Sequence, residues 1–350
     1  MKIGNIDLGE KPVLLAPMED VTDASFRIVC KKFGADMVYT EFIPSDGLIR
    51  DAAKAIAKMK TSEDEAPIAI QIYGNDPDAM VEAAKMADNA DQIAGGHGCD
   101  IIDINFGCPV NKIAGRGAGS GMMREPDKMV MITERIVKAV SKPVTVKTRL
   151  GWDESSKIIV PLAERLQDAG ISALTIHGRT RCQMYKGEAD WTLIGEVKSD
   201  PRIVIPIIGN GDICTAEQTA EAFSRYGVDA VMIGRATFGQ PWLFKDVRSY
   251  LDYGVHDESM TLEWKIGVLK RQVAKSVEYS LRADNALKES KRTELGGIIH
   301  VRRHLANSPI FKGIPDFRQM RIKILRAESQ SELFDLLSEA YDIIKKNARV

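Results

Sequence analysis

Cysteine is scarce and irregularly placed. The 350 residues hold five, at positions 30, 99, 108, 182 and 214, and none forms a CxxC pair. An odd, unpatterned set excludes a disulfide framework and suggests no tetrahedral zinc site. No stretch approaches the roughly 18 consecutive apolar residues of a membrane span. The opening MKIGNIDLGEKP has no apolar signal core, so the sequence predicts a cytoplasmic protein with no membrane association. Net charge is also missing: the formal value is −1, which excludes a uniformly basic nucleic-acid binder. With 44% hydrophobic and 28% charged residues the composition is that of a globular chain, not of a disordered, collagenous or coiled-coil one.

The near-zero charge hides an asymmetry. Residues 265–350 carry 18 Lys and Arg against 10 Asp and Glu, a local +8 that leaves −9 on residues 1–264. A basic final quarter on an acidic body marks a surface for a polyanion; the alternative is a solvated helical face.

Eight short apolar runs recur along the first 235 residues: VLLA (13–16), MVYT (37–40), IAIQIY (68–73), IIDIN (101–105), VTVKT (144–148), ALTIH (173–177), VIPII (204–208) and AVMIG (230–234). Helical patterns such as PDAMVEAAKMADNA lie between most of them. Eight strands alternating with helices is the count of a closed (β/α)8 barrel, with an open doubly wound sheet as the alternative. Beyond about residue 245 only helical periodicity remains. The predicted organisation is α/β: a TIM-barrel catalytic domain over 1–250, then a smaller all-helical domain over 255–350.

Polar residues fall at one parity in these strands. Side chains alternate, so Thr145, Lys147 and Arg149 face away from Val144 and Val146. The same parity separates Gln71 from Ile70 and Ile72, Asp103 and Asn105 from Ile102 and Ile104, and Thr175 and His177 from Leu174 and Ile176. In a barrel the apolar set meets the outer helices and the polar set points inward, emerging at the C-terminal rim where barrel enzymes place their chemistry. Burying such groups without a ligand costs several kcal/mol.

Glycines in IGNGDI (208–213) and MIGRA (232–236) end the seventh and eighth strands, the usual phosphate position of a barrel. Arg235 adds a fixed cation there. APM (16–18) offers a flat uncharged edge for a planar ring, Gln71 an amide for an imide edge, and Lys147 and His177 charge or donors where a ring becomes anionic. Phosphate at one end and a polar ring edge at the other describe flavin mononucleotide (FMN). A lone buried ammonium is expensive without an anion, which makes Lys147 the decisive residue.

Cys108 lies in DINFGCPVNKIAGRGAGSGMM (103–123), a Gly/Pro-rich loop after the fourth strand. It could be a nucleophile, a general acid or a small buried apolar residue. With no adjacent base, a proton donor is favoured over an acyl-transfer nucleophile. His300 and His304 are spaced i, i+4, but no third ligand accompanies them, and no metal site is predicted.

The blocks LLAPMEDVTDASFR, QIYGNDP, DINFGCPVNKI, GRGAGS, VKTRLGW, TIHGRTRCQMYKGEADW, IIGNGDI and MIGRATFGQPW cover most of 13–245. In these the sequence resembles the tRNA-dihydrouridine synthases, most of all their bacterial B subgroup. RRHLANSPIFKGIPDFRQMR in the helical part is similar but looser. Gly121-Met122-Met123 and the segment 282–298 depart from the family pattern. The resemblance implies an oxidoreductase that reduces the C5–C6 double bond of specific uridines in tRNA, with FMN re-reduced by NADPH. Hydride would pass from flavin N5 to C6 and a proton from Cys108 to C5. Ala16, Pro17, Met18, Gln71, Lys147, His177, Asn210, Gly211, Asp212, Gly234 and Arg235 would hold FMN. Asn105 and Arg149 would hold the uracil, with Tyr185 a further candidate. It implies no obligate protein partner, and a monomer. Arg302, Arg303, Lys312, Arg318 and Arg321 cluster at helical spacing, and Arg302 and Arg303 are expected to grip the RNA. Two rival readings are a flavin barrel acting on a free pyrimidine, which leaves 255–350 without a role, and a tRNA-binding protein that has lost catalysis.

Overall fold

The computed structural model describes residues 1–282, 293–315 and 317–347. Eight parallel strands form the frame: β1 (Val13–Leu15), β2 (Val38–Tyr39), β3 (Ile68–Tyr73), β4 (Ile101–Asn105), β5 (Val144–Arg149), β6 (Ala173–His177), β7 (Ile207–Asn210) and β8 (Ala230–Ile233). They are hydrogen-bonded in the order β1-β8-β7-β6-β5-β4-β3-β2. A parallel bridge between Leu14 and Met37 joins β1 to β2 and closes the ring, which disposes of the open sheet.

The strand parity holds all the way round. Ile68, Ile70, Ile72, Ile102, Ile104, Val144, Val146, Leu174 and Ile176 pack outward into one core with the surrounding helices. Inside, the lower barrel is filled by Leu14, Met37, Ala69, Ile101, Ala173, Ile208 and Ala230, and Ile3 and Leu8 of an N-terminal hairpin join this plug. Polar side chains occupy only the layers above it. The barrel is thus a packed plug below and a polar cup above.

The seventh strand starts three residues later than the apolar run VIPII. Val204 is 81% exposed, and the N–H groups of Val204 and Ile205 donate to Gln167 Oε1 at 2.8 and 3.2 Å. Apolar content alone cannot tell a loop from the strand it feeds. A short strand, Ile43–Pro44, pairs with the end of β3 and has no counterpart among the eight runs.

After Gly254 the described residues are helical: Leu262–Leu281, Glu294–Asn307, Arg318–Arg326 and Gln330–Asn347. Ile266, Leu269, Val273, Ile298, Val301, Leu305, Leu333 and Leu337 form their own core. This helical region rests on the barrel. The His304 ring packs 4.1 Å from that of Phe26, Trp264 lies edge-on to Phe33 and Trp242, and Ser308 Oγ donates to the Gly239 carbonyl at 2.6 Å. His304 is therefore an interface residue whose imidazole burial pushes down to about 4, while His300 faces Asp23. Residues 283–292 of the unusual 282–298 segment lie outside the described residues. No described helix is long and apolar enough to cross a membrane.

Candidate active site

One cavity of about 780 Å³ opens at the C-terminal rim and continues under the helical region. Such a volume suits a cofactor-sized ligand. Its wall brings together Cys108, Lys147, Arg149, His177, Asn210 and Arg235, with Arg303 and Lys312 from the helical region. Ala16, Pro17, Met18, Asn105, Tyr185, Gly211, Asp212 and Gly234 line it as well. Gln71 does not: it is fully buried one layer below, its amide held by Asp103 at 2.6 Å and Asn105 at 2.8 Å.

The cysteine loop is fixed rather than loose. The Gly107 and Cys108 N–H groups donate to Asn105 Oδ1 at 3.0 and 2.9 Å. Ser120 returns two hydrogen bonds to the Cys108 carbonyl, at 3.1 Å from its N–H and 2.8 Å from its hydroxyl. At Gly121 the backbone passes so close to the neighbouring turn that a Cβ would lie 2.5 Å from the Ala114 carbonyl oxygen. Met122 and Met123, both buried, then anchor the loop beneath. Burial raises the Cys108 thiol above its ordinary value, against the pull of the Val110 N–H, Arg149 and Lys147. It is a protonated thiol at neutral pH, suited to giving a proton.

Lys147 is pushed down to about 8 by burial and by Arg149. Its Nζ sits 3.3 Å from the neutral Asn210 Oδ1, and no carboxylate pairs with it among the described residues. His177 is driven well below its ordinary value by burial and by the neighbouring cations, so it is a neutral imidazole. An anionic ring edge placed here would relieve both.

Arg149 is 1% exposed and ties two loops together. Its Nε donates to the Gly107 carbonyl at 2.8 Å, and its Nη1 to those of Thr180 and Met184, both at 2.9 Å. Only Nη2 is uncommitted, so a substrate could take at most that end. Tyr185 stands half-exposed beside the Arg149 and Arg235 guanidiniums at 5.6 and 4.8 Å.

Asp212 follows Gly211, and both have positive φ, +54° and +131°. A Cβ at Gly211 would meet that of Ala189 at 2.6 Å, so only glycine fits this turn. The Asp212 carboxylate is not free for a ligand: it accepts Arg179 bidentately at 2.9 and 2.6 Å, Arg235 at 2.9 Å and the Ala189 N–H at 2.8 Å. Two arginines on one carboxylate leave a net positive charge beside the turn, which is what a phosphate needs. Arg179 lies outside the expected site residues; its signal in the sequence is HGRTR, an arginine two residues beyond a strand-end histidine.

The two arginines expected on the RNA part company. Arg303 is exposed at the cavity mouth, near the carbonyls of Glu19 and Asp20 at 3.3 Å. Arg302 turns inward and spends its Nη2 on the Ala327 carbonyl at 2.9 Å, so it is a structural residue of the helical region. Successive helix residues point about 100° apart and cannot share a face.

A closed parallel barrel whose rim gathers a thiol, an ammonium and two guanidiniums around one cavity defines a TIM-barrel enzyme. Its backbone is similar to histamine dehydrogenase from Rhizobium sp. 4-9 (TM-score 0.55, 12% identity, 79% of this chain and 50% of that one). It is also similar to morphinone reductase in complex with tetrahydroNAD (TM-score 0.51, 11% identity, 71% and 89%). Residues 14–340 match the family described as Dihydrouridine synthase (Dus), and the chain belongs to this family of oxidoreductases. It is 40% identical over 280 residues to a probable tRNA-dihydrouridine synthase of Rickettsia prowazekii, covering 80% of this chain and 83% of that one. To the tRNA-dihydrouridine synthase B of Xanthomonas campestris pv. campestris it is 42% identical over 254 residues, 73% and 74% of the two chains.

Proposed function

We propose that this protein reduces the C5–C6 double bond of particular uridines in tRNA to 5,6-dihydrouridine, with FMN as cofactor and NADPH as electron donor. The observation that carries the reading is the shared cavity: Cys108 and Lys147 face one space whose mouth is furnished with Arg303 and Lys312 by the helical region. Two cations at the mouth of a pocket deep enough for a cofactor would go unused by a free pyrimidine. They suit a substrate that is an extruded base on a polyanionic chain.

The residues fit FMN. The Gly211–Asp212 turn, Gly234 and Arg235 would seat the phosphate, Lys147, His177 and Asn210 the polar ring edge, and Ala16, Pro17 and Met18 the flat face. Gln71 would reach the ring only from below. Bound there, FMN would supply the hydride chemistry for C6 of uracil. Cys108 holds a proton at Sγ and would give it to C5 as general acid. Asn105 and the uncommitted end of Arg149 orient the uracil carbonyls, and Tyr185 covers the entrance.

The test is an unmodified tRNA transcript incubated with protein, FMN and NADPH, with dihydrouridine mapped by mass spectrometry. Conversion at discrete positions, without turnover of free uridine or orotate, is expected. Absence of dihydrouridine, or faster turnover of the free pyrimidine, overturns the reading.

A further inference from the structure

Beneath the cavity a chain of side-chain amides runs across three strands. Thr145 Oγ1 donates to Asp103 Oδ1 at 2.5 Å and Gln71 Nε2 to Asp103 Oδ2 at 2.6 Å. Asn105 Nδ2 donates to Gln71 Oε1 at 2.8 Å, and Asn105 Oδ1 accepts the Gly107 and Cys108 N–H groups. Asp103, Gln71 and Thr145 are fully buried, so the links among them lack water as an alternative partner, while Asn105, 5% exposed, meets the cavity.

Chemistry fixes the direction of every link. Backbone N–H groups only donate, so Asn105 must turn its oxygen to the cysteine loop and its nitrogen to Gln71. Gln71 must then offer its oxygen to Asn105 and its own nitrogen to position 103, which has to accept. Without an acceptor there, the Gln71 amide is left with a buried N–H that has no partner, the costliest state for such a group. Flipping Gln71 to escape sets its NH2 against that of Asn105 and unseats Asn105 from the loop.

We propose that Asp103 is a positioning residue: it terminates the amide chain as its obligatory acceptor and, through Gln71 and Asn105, holds Cys108 over the cavity. Burial pushes the Asp103 carboxyl up to about 7, and when ionised it also lends negative charge to Lys147 in the layer above; the two roles separate by substitution. Asp103→Asn and Asp103→Leu both remove the charge. Only Asp103→Leu removes the acceptor, because asparagine can turn Oδ1 to Gln71 and Nδ2 to Thr145. The inference rests on Cys108 being the proton donor, but its first readout needs neither tRNA nor flavin.

That readout is alkylation of the ligand-free protein by iodoacetamide, followed at each cysteine by peptide mass spectrometry. Cys108 is expected to react about fivefold to tenfold faster in Asp103→Leu, the loss of roughly one hydrogen bond. In Asp103→Asn it should stay within about twofold of wild type on the same scale, while fully buried Cys30 stays unreactive in both. In the assay with tRNA and NADPH, Asp103→Leu should lose uridine reduction out of proportion to flavin reduction, and Asp103→Asn should restore it. Equal Cys108 rates in the two variants overturn the proposal, since an equal rise would assign the effect to lost charge. If Cys30 labelling shows that Asp103→Leu does not fold, Gln71→Met breaks the chain one link higher and must give the same rise at Cys108; no rise there is equally fatal. A split between Leu and Asn without any dihydrouridine from wild type would keep the positioning role and discard the proposed function.

Discussion

The buried arginines of the barrel and the exposed arginines of the helical region act in opposite ways. Arg27, Arg149 and Arg179 of the barrel are 1–3% exposed, and each is spent on internal acceptors: Glu65 and the Thr22 carbonyl for Arg27, loop carbonyls for Arg149, Asp212 for Arg179. In the helical region Arg303, Arg318, Arg321 and Arg326 stand exposed. Charges buried in a dry site act strongly on whatever shares it and are barely screened. Charges in solvent act weakly one by one, collectively on a polyanion, and fade with salt. The −9 of the first 264 residues and the +8 of the last 86 therefore describe the two surfaces, not the cavity. The cavity itself is cationic, inside the acidic part.

The largest effect should come from the barrel. Cys108→Ala is expected to lower uridine reduction by roughly 10²–10⁴, the worth of a positioned general acid, while NADPH still bleaches the bound flavin in stopped-flow absorbance. Full activity in the mutant would remove the thiol from the reaction and weaken the contrast between a chemical barrel and a docking region.

Next comes the helical side. Arg303→Glu with Lys312→Glu should weaken tRNA binding by about one to two orders of magnitude and flatten the log–log salt dependence by about two units. NADPH oxidation by the flavin should change little. Filter binding at several salt concentrations decides it; an unchanged slope means these charges are only a solvated face.

A third experiment probes the buried cation. Lys147 titrates near 8 in the folded, ligand-free protein and near 10.4 when unfolded. The unfolded chain therefore binds more protons in that window, and stability rises with pH through it. Between pH 8 and 10 wild type should gain about 2 kcal/mol over Lys147→Met by denaturant titration. No difference between the two would show that the ammonium is not held at a cost. The smallest effect is at Arg302: Arg302→Gln should cost about 1 kcal/mol of stability, the lost bond to Ala327, and leave the salt slope of tRNA binding where it was. A flattened slope would put Arg302 back on the docking face.

Much of this was legible in the chain. Strand parity is a local property, so alternation in VTVKTR or IIDIN names the inward residues by itself, and eight repeats of it name the barrel. The start of β7 was not legible, because Val204 and Ile205 are as apolar as the strand they precede. Nor was the fate of Arg302 and Arg303, identical neighbours that a helix sends to different environments.

The sequence by itself determined which side chains enter the barrel and that a thiol loop, a buried lysine and two glycine turns meet at one end of it. Alternation and chain order suffice for that. Only the tertiary structure decided what each group is free to do. Asp212 is consumed by Arg179 and Arg235, Gln71 is withdrawn beneath Asn105, and Arg149 keeps one end for a ligand. Hydrogen-bonding capacity is finite, and residues 33 to 34 positions apart in the chain compete for it only once folding has brought them within 3 Å.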